Sequence, residues 1–344
     1  MTLDPVRPNR DDPPLLYSLH EFREIIFSCF DAAGATTVVE IGAEAGGFTG
    51  ELATWTSERG GHLTSIDPAP SPAVRDFIAG VGDGADLVED MSIPALGTLP
   101  PADAYLLDGD HNYHTVSHEL ELIDATTAGA GAFPLLILQD VSWPAGVRDQ
   151  YYDPSTIPAE ALHPYSHGGV VPWAVETGTG GFRGGSEFAF ARSEGGPRNG
   201  VGTALKDFLA EHPAYEVLYV PAVFGLAVVY PSAAPWAGEL AQRIQPFDDH
   251  PLLRRLEANR IWLYLKVIDL QDRLRTDVRR VEAQVVTGAA TIARLGSELE
   301  VAGQQIRELG EERNALAAER DRLATELAAC SPPARTVRWL SSSR

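Results

Sequence analysis

The segment DGDH places Asp108, Asp110 and His111 within four positions, two of its carboxylates flanking a glycine and an imidazole following at once. Residues of these types can hold a hard cation or move a proton near neutral pH. Asp140 closes the apolar run PLLILQD further along the chain. Acids that end adjacent parallel strands converge on one crevice however far apart they lie in sequence. Asp108 and Asp140 are therefore candidate partners, with His111 as the expected general base. A histidine bonded to a backbone carbonyl is the structural alternative for His111. His114 and His118 follow at helical spacing and are expected to line one helix face.

A second constellation lies in VVEIGAEAGGFT, where Glu40, Gly42, Gly46 and Gly47 stand where a buried strand should turn into a helix. Glycines let the backbone approach a ligand, and the helix that follows offers unpaired N–H groups. A dinucleotide fingerprint would need glycine two positions after Gly42, and Glu44 stands there instead, an anion where a pyrophosphate needs donors. The acid at Glu40 suits a ligand with a cationic amino-acid end. Asp67 ends the next strand in LTSIDPAP, one βαβ step later, where its oxygens can accept from both hydroxyls of a ribose. Asp90 and Ser92, in VEDMS, fall where a base attached to that ribose would lie.

These residues need a scaffold, and its pattern is legible. Residues 18–34 repeat apolar side chains at helical spacing (Phe22, Ile25, Ile26, Cys29, Phe30) and stop at Gly34. Five short apolar runs follow, TTVVEIGA, HLTSID, ADLVED, AYLLDG and PLLILQD, separated by helical or turn-rich segments. Such alternation implies a parallel sheet covered by helices. Residues 141–200, crowded with Gly, Pro, Tyr and Trp, read as an insertion that covers a substrate. Within it Trp143, Tyr151, Tyr152 and Trp173 could form an apolar platform, and Arg148 or Arg198 could meet an acidic group, unless they only pack the loop. GTALKDFLAEH then reads as a helix, and YEVLYVP with FGLAVVYP as a terminal strand pair meeting near Ala222. The domain is expected to span 18–231, after a disordered segment 1–17 and before a linker 232–251.

From 252 to 330 proline is absent and Leu, Ala, Glu, Arg and Gln dominate. Val278, Val285, Ile292, Leu299, Ile306 and Leu327 occupy the a positions of one heptad register, and Val281, Leu295, Leu309, Leu316 and Leu323 its d positions. Arg313 and Arg320 interrupt a, and Gly288 interrupts d. Mostly β-branched residues at a with leucine at d favour a parallel two-stranded coiled coil, hence a homodimer; one amphipathic helix folded back on the domain is the alternative. Residues 331–344 are expected to be a disordered tail.

Composition narrows the partners. A net charge of −21 repels nucleic acid. No apolar run approaches the roughly 20 residues of a membrane span, and no signal-peptide pattern opens the chain. Two cysteines in segments of different character provide neither a disulfide framework nor a metal motif, which fits a cytoplasmic protein.

Together, the strand and glycine turn at Glu40, Asp67 and the segment DGDHNYHTVSHELELID make residues 18–231 resemble the class I S-adenosylmethionine-dependent methyltransferases. The resemblance is to the subfamily of macrocin-type sugar O-methyltransferases and relatives of cephalosporin hydroxylase. It implies an α/β fold, a Rossmann-like seven-stranded sheet flanked by helices, here followed by the long C-terminal helix. It also implies S-adenosyl-L-methionine bound by Glu40, Gly42, Gly46, Asp67, Asp90 and Ser92, and transfer to a hydroxyl of a small molecule or glycan. In such enzymes acids at two strand ends hold Mg²⁺, and the matching positions are Asp108 and Asp140. Gln139 departs from the pattern, since a second acid stands there in the metal-dependent enzymes, so the implied Mg²⁺ site is one charge short. Oxygenase-type chemistry on the same scaffold, or a silent cofactor-binding protein organised by its coiled coil, are the rival readings.

Overall fold

The computed structural model describes residues 19–43 and 46–330; Glu44 and the expected disordered segments 1–17 and 331–344 lie outside the described residues. The five apolar runs form β1 (Thr37–Ile41), β2 (His62–Ile66), β3 (Ala85–Val88), β4 (Ala104–Leu107) and β5 (Leu135–Gln139). Between and before them lie α1 (Arg23–Ala33), α2 (Thr49–Glu58), α3 (Pro72–Val81), α4 (Ser92–Leu96) and α5 (Tyr113–Ala130). Gly34 ends α1 in a left-handed conformation, as its place after the apolar stripe predicts. Beyond the insertion come α6 (Val201–Glu211), β9 (Tyr215–Val220), β10 (Leu226–Pro231), α7 (Ala237–Ile244) and α8 (Pro251–Cys330). The insertion carries β6 (Gln150–Tyr151), β7 (Tyr165–Ser166) and β8 (Ala189–Ala191), which pair antiparallel in the order β6-β8-β7.

The main sheet has seven strands in the order β3-β2-β1-β4-β5-β10-β9. β1 to β5 run parallel, and β10 lies antiparallel between β5 and β9. This is the Rossmann-like seven-stranded sheet with flanking helices that the sequence leads one to expect. Successive side chains of the central strands alternate between two cores. Val38, Leu106, Ile137 and Val228 pack with α1, α2 and α7, while Val39, Leu107, Leu138 and Val229 pack with α4, α5 and α6. Each of these fully buried aliphatic side chains contributes about 1.5–3 kcal/mol, which locks the strand register.

The chain divides into two compact units after Asp272. The first extends past the expected boundary at 231, because α7 is no linker. Leu240 and Ile244 of α7 are buried in the core, and Ile261 and Leu265, early in α8, bury against Phe182, Phe190 and Phe224. The second unit, over its described residues, continues α8 as a helix with its large apolar side chains exposed to solvent. Among the described residues no helix is long and apolar enough to cross a membrane.

Candidate active site

Four neighbouring strands, β2-β1-β4-β5, deliver their carboxyl ends to one cavity of about 840 Å³. Gly42, Asp67, Asp108 and Asp140 each stand one residue beyond one of those strands, and all four line it. The turn after β1 is tight. Gly42 has φ +93°, and a Cβ there would meet the carbonyl oxygen of Asp108 at 2.3 Å. Gly46 has φ +80° and is pressed by Val74, whose Cγ2 a Cβ would meet at 2.7 Å. Both glycines are thus demanded by close approach and by backbone conformation.

Glu40 is buried at the end of β1, and both of its oxygens are engaged. It accepts hydrogen bonds from Thr49 Oγ1 at 3.1 Å and Ser65 Oγ at 2.7 Å. Burial pushes its carboxyl up to about 7, against the lowering effect of those two bonds. Asp67 accepts from the amides of Ala43 at 3.0 Å and Ala69 at 2.8 Å, so it braces the glycine turn as well as lining the cavity. Ser92 is buried and lines the cavity, while Asp90 is exposed, accepts from the Met91 amide and does not line it.

At the other end, Asn112 caps α5 by accepting from the Thr115 amide at 2.8 Å, which fixes the path of the DGDH segment before it. His111 Nε2 lies 3.2 Å from Asp108 Oδ1 and 3.4 Å from Asp140 Oδ2. Burial lowers the affinity of this imidazole for a second proton, but Asp140, Asp108 and Asp110 outweigh it and hold the ring up at about 9. Burial likewise lifts Asp140 to about 6, with His111 opposing. One ligand atom from each of Asp108, His111 and Asp140 lies within 4.8 Å of the others, an arrangement open to a cation. Gln139 Oε1 is buried without a hydrogen-bond partner, and Gln139 lines the same cavity. This donor set fits a divalent cation, with two carboxylates, one imidazole and a neutral carbonyl oxygen nearby.

Two buried acids stand behind this cluster. Asp110 accepts from Asn112 and Thr115, and burial raises its carboxyl. Glu119, on α5, is pushed up to about 8 by burial and bonds to Ser92. Glu119 escapes a sequence reading because an acid on an amphipathic helix reads as solvated; only its position opposite Ser92 in space reveals it.

The insertion contributes differently from expectation. Tyr152, Phe182 and Phe188 wall the cavity together with Phe224, from the turn before β10. Tyr152 meets Phe188 edge-on at 6.0 Å and lies 5.9 Å from the His111 ring. Tyr151 instead is buried and donates to Asp149, Trp143 packs on Phe182 and Phe224, and Trp173 is 69% exposed and away from the lining. Arg148 is buried and donates to the carbonyls of Ala191 and Val175, so it binds the insertion to itself rather than a ligand; Arg198 does not line the cavity either. No Lys or Arg is among the described residues that line it. His114 and His118 on α5 have ring centroids 4.3 Å apart, tilted by 50°, on one helix face as their spacing predicts.

No protein-family model and no curated protein matches the chain. Solved structures similar to it include a methyltransferase of Podospora anserina bound to S-adenosylhomocysteine, 16% identical over 66% of this chain and 98% of that one, with a TM-score of 0.37. An O-methyltransferase from neocarzinostatin biosynthesis, in complex with S-adenosylmethionine and 2-hydroxy-5-methyl naphthoic acid, is 18% identical over 62% of this chain and 54% of that one, at 0.35. An N,N-8-amino-8-demethyl-D-riboflavin dimethyltransferase from Streptomyces davawensis is 18% identical over 62% of this chain and 53% of that one, at 0.34. The chain thus spans about half the length of the latter two. Its fold rests on its own strand order.

Proposed function

We propose that this chain transfers a methyl group from S-adenosylmethionine to a hydroxyl of a small molecule or glycan, with sugar-type natural products as the first class of acceptor. The supporting observation is that one cavity joins the glycine turn, Glu40, Asp67 and Ser92 to the cluster of Asp108, His111 and Asp140. The first set holds the cofactor: the Gly42 turn gives the backbone access, Glu40 faces its ammonium end, and Asp67 its ribose. The second set receives the acceptor. As the hydroxyl oxygen takes the methyl group and the sulfonium becomes a neutral thioether, the hydroxyl proton passes to Asp108, because His111, held up at about 9, already carries its second proton. Asp108, His111 and Asp140 would hold Mg²⁺ or another divalent cation, which would supply a positive charge to anchor and acidify a hydroxyl. The aromatic faces of Tyr152, Phe182, Phe188 and Phe224 suit the C–H face of a sugar ring or an aryl ring. Among the described residues the lining holds seven acidic side chains, no Lys or Arg, and His111 as its one histidine, so neutral acceptors are favoured over uronic or phosphorylated sugars. The cytoplasm is the proposed compartment, consistent with two free cysteines.

The test is a thermal-shift titration with S-adenosylmethionine and S-adenosylhomocysteine. Ligand at roughly 100 times its dissociation constant adds about 2.7 kcal/mol, and no shift at millimolar ligand sinks the cofactor reading. Product formation from neutral glycosides and their uronic-acid counterparts is then followed by mass spectrometry, for Asp108→Asn, His111→Ala and Asp140→Asn, with and without chelator. Each substitution is expected to cost at least about 100-fold in turnover while the cofactor shift persists. Activity surviving all three removes the reaction site; cofactor binding with no methylated product supports the scaffold reading.

A further inference from the structure

The helical second unit presents an apolar stripe: its a and d side chains, from Val278 to Leu327, are exposed along the whole length. We propose that this stripe pairs with the same stripe of a second copy of the chain, parallel and in register over residues 278–330. This association is independent of the reaction proposed above.

Three features select that occupant and that orientation. Four of the six apolar a residues are β-branched (Val278, Val285, Ile292, Ile306), and leucine is the commonest residue at d (Leu295, Leu309, Leu316, Leu323), the combination that favours a parallel pair. The two arginines that break the a series are each preceded by an acid at g, Glu312 before Arg313 and Glu319 before Arg320. In a parallel, in-register pair a side chain at a lies beside the preceding g residue of the other helix. Each copy's arginines therefore meet the other copy's glutamates, and two apparent defects become four ion pairs across the seam. Within one chain these arginines bond only to their exposed neighbours, Asn314 and Asp321, contacts that cost little to exchange. In an antiparallel pair a faces d, and the arginines would lie against apolar d layers.

The third feature is Cys330. It is a free, exposed thiol seven positions after Leu323, so it occupies the next d layer. A parallel, in-register pair sets the two Cys330 residues opposite each other, within the roughly 7 Å between Cα atoms that a disulfide spans. Antiparallel pairing sends them to opposite ends.

The full-length chain is examined by sedimentation at micromolar concentration and then treated with copper–phenanthroline, the oxidant that would join two facing thiols. A dimer that becomes covalent on a non-reducing gel, and that fails to do so in Cys330→Ser while still sedimenting as a dimer, is the expected result. Replacing Arg313 and Arg320 by Glu is expected to raise the dissociation constant by roughly tenfold or more, and adding Glu312→Arg with Glu319→Arg is expected to restore it. A monomer at these concentrations overturns the proposal. So does a dimer that Cys330 cannot link, or one indifferent to the charge exchange.

Discussion

In the proposed reaction Glu40 is the buried acid that would tie the scaffold to the ligand. Its carboxyl, held at about 7 by burial, is largely protonated below neutrality in the free protein. An ammonium placed beside it stabilises the ionised form and lowers that pKa. Cofactor binding between about pH 6 and 7 therefore releases a proton, and affinity rises with pH through that range before levelling above it. Calorimetry in buffers of different ionisation enthalpy checks this, and Glu40→Gln is expected to abolish the buffer dependence. Gly42 tests the backbone beside it. Alanine there must fit a Cβ 2.3 Å from a carbonyl oxygen at φ +93°, so Gly42→Ala should cost about 3 kcal/mol or more, read as a lowered Tm and loss of cofactor binding. The need for glycine is legible in the sequence from the strand-to-helix turn, but the partner it avoids, Asp108, is 66 positions away. The acids at strand ends could be paired in advance because parallel strands have only one carboxyl side. That His111 stands between Asp108 and Asp140, with its charge fixed by them, depends on side-chain directions that no spacing encodes.

The five parallel strands, the α6 helix and the β9–β10 pair followed from period and punctuation, since an apolar run of that length has few other solutions in a domain this size. The insertion is legible in the sequence as one element, but its internal fold is not, because that fold depends on scattered polar bonds. Asp149 is the hub of these. It accepts from the amides of Tyr113 and Gly200 and from the Tyr151 hydroxyl, while its own amide donates to Asn199. The start of α5, the strand β6 and the start of α6 are thereby fastened at one carboxylate. Asp149→Ala leaves buried donors unpaired at about 1–3 kcal/mol each. Its expected signature is rapid proteolysis within 150–200 and a raised acceptor KM, with the cofactor shift retained; uniform protection of that region would show that the hub is dispensable. The aromatic wall was equally hidden. Phe224 reaches the cavity from a turn at φ +64°, where Glu257 of α8 accepts from its amide and Arg260 covers its ring.

For the molecule as a whole, the end of the catalytic unit matters to any dissection. Cutting after Pro231 would strip Leu240, Ile244, Ile261 and Leu265 from the cores, whereas cutting after Asp272 leaves them in place. The 1–272 fragment is expected to sediment as a monomer and still bind cofactor, and the 1–231 fragment to be insoluble or unfolded; a cofactor-binding 1–231 fragment would refute the boundary. The strong negative charge has a further consequence when set beside a cavity whose described lining holds no Lys or Arg. S-adenosylmethionine carries a sulfonium charge that methyl donation removes, so the spent cofactor leaves with one positive charge fewer than the fresh one brought. On the proposed reaction an acidic protein attracts the donor more strongly than the by-product, which weakens product inhibition without any contact dedicated to that end. Because such a field is screened within about 10 Å at 0.1 M salt, the ratio of the inhibition constant for S-adenosylhomocysteine to the dissociation constant for S-adenosylmethionine should fall as ionic strength rises.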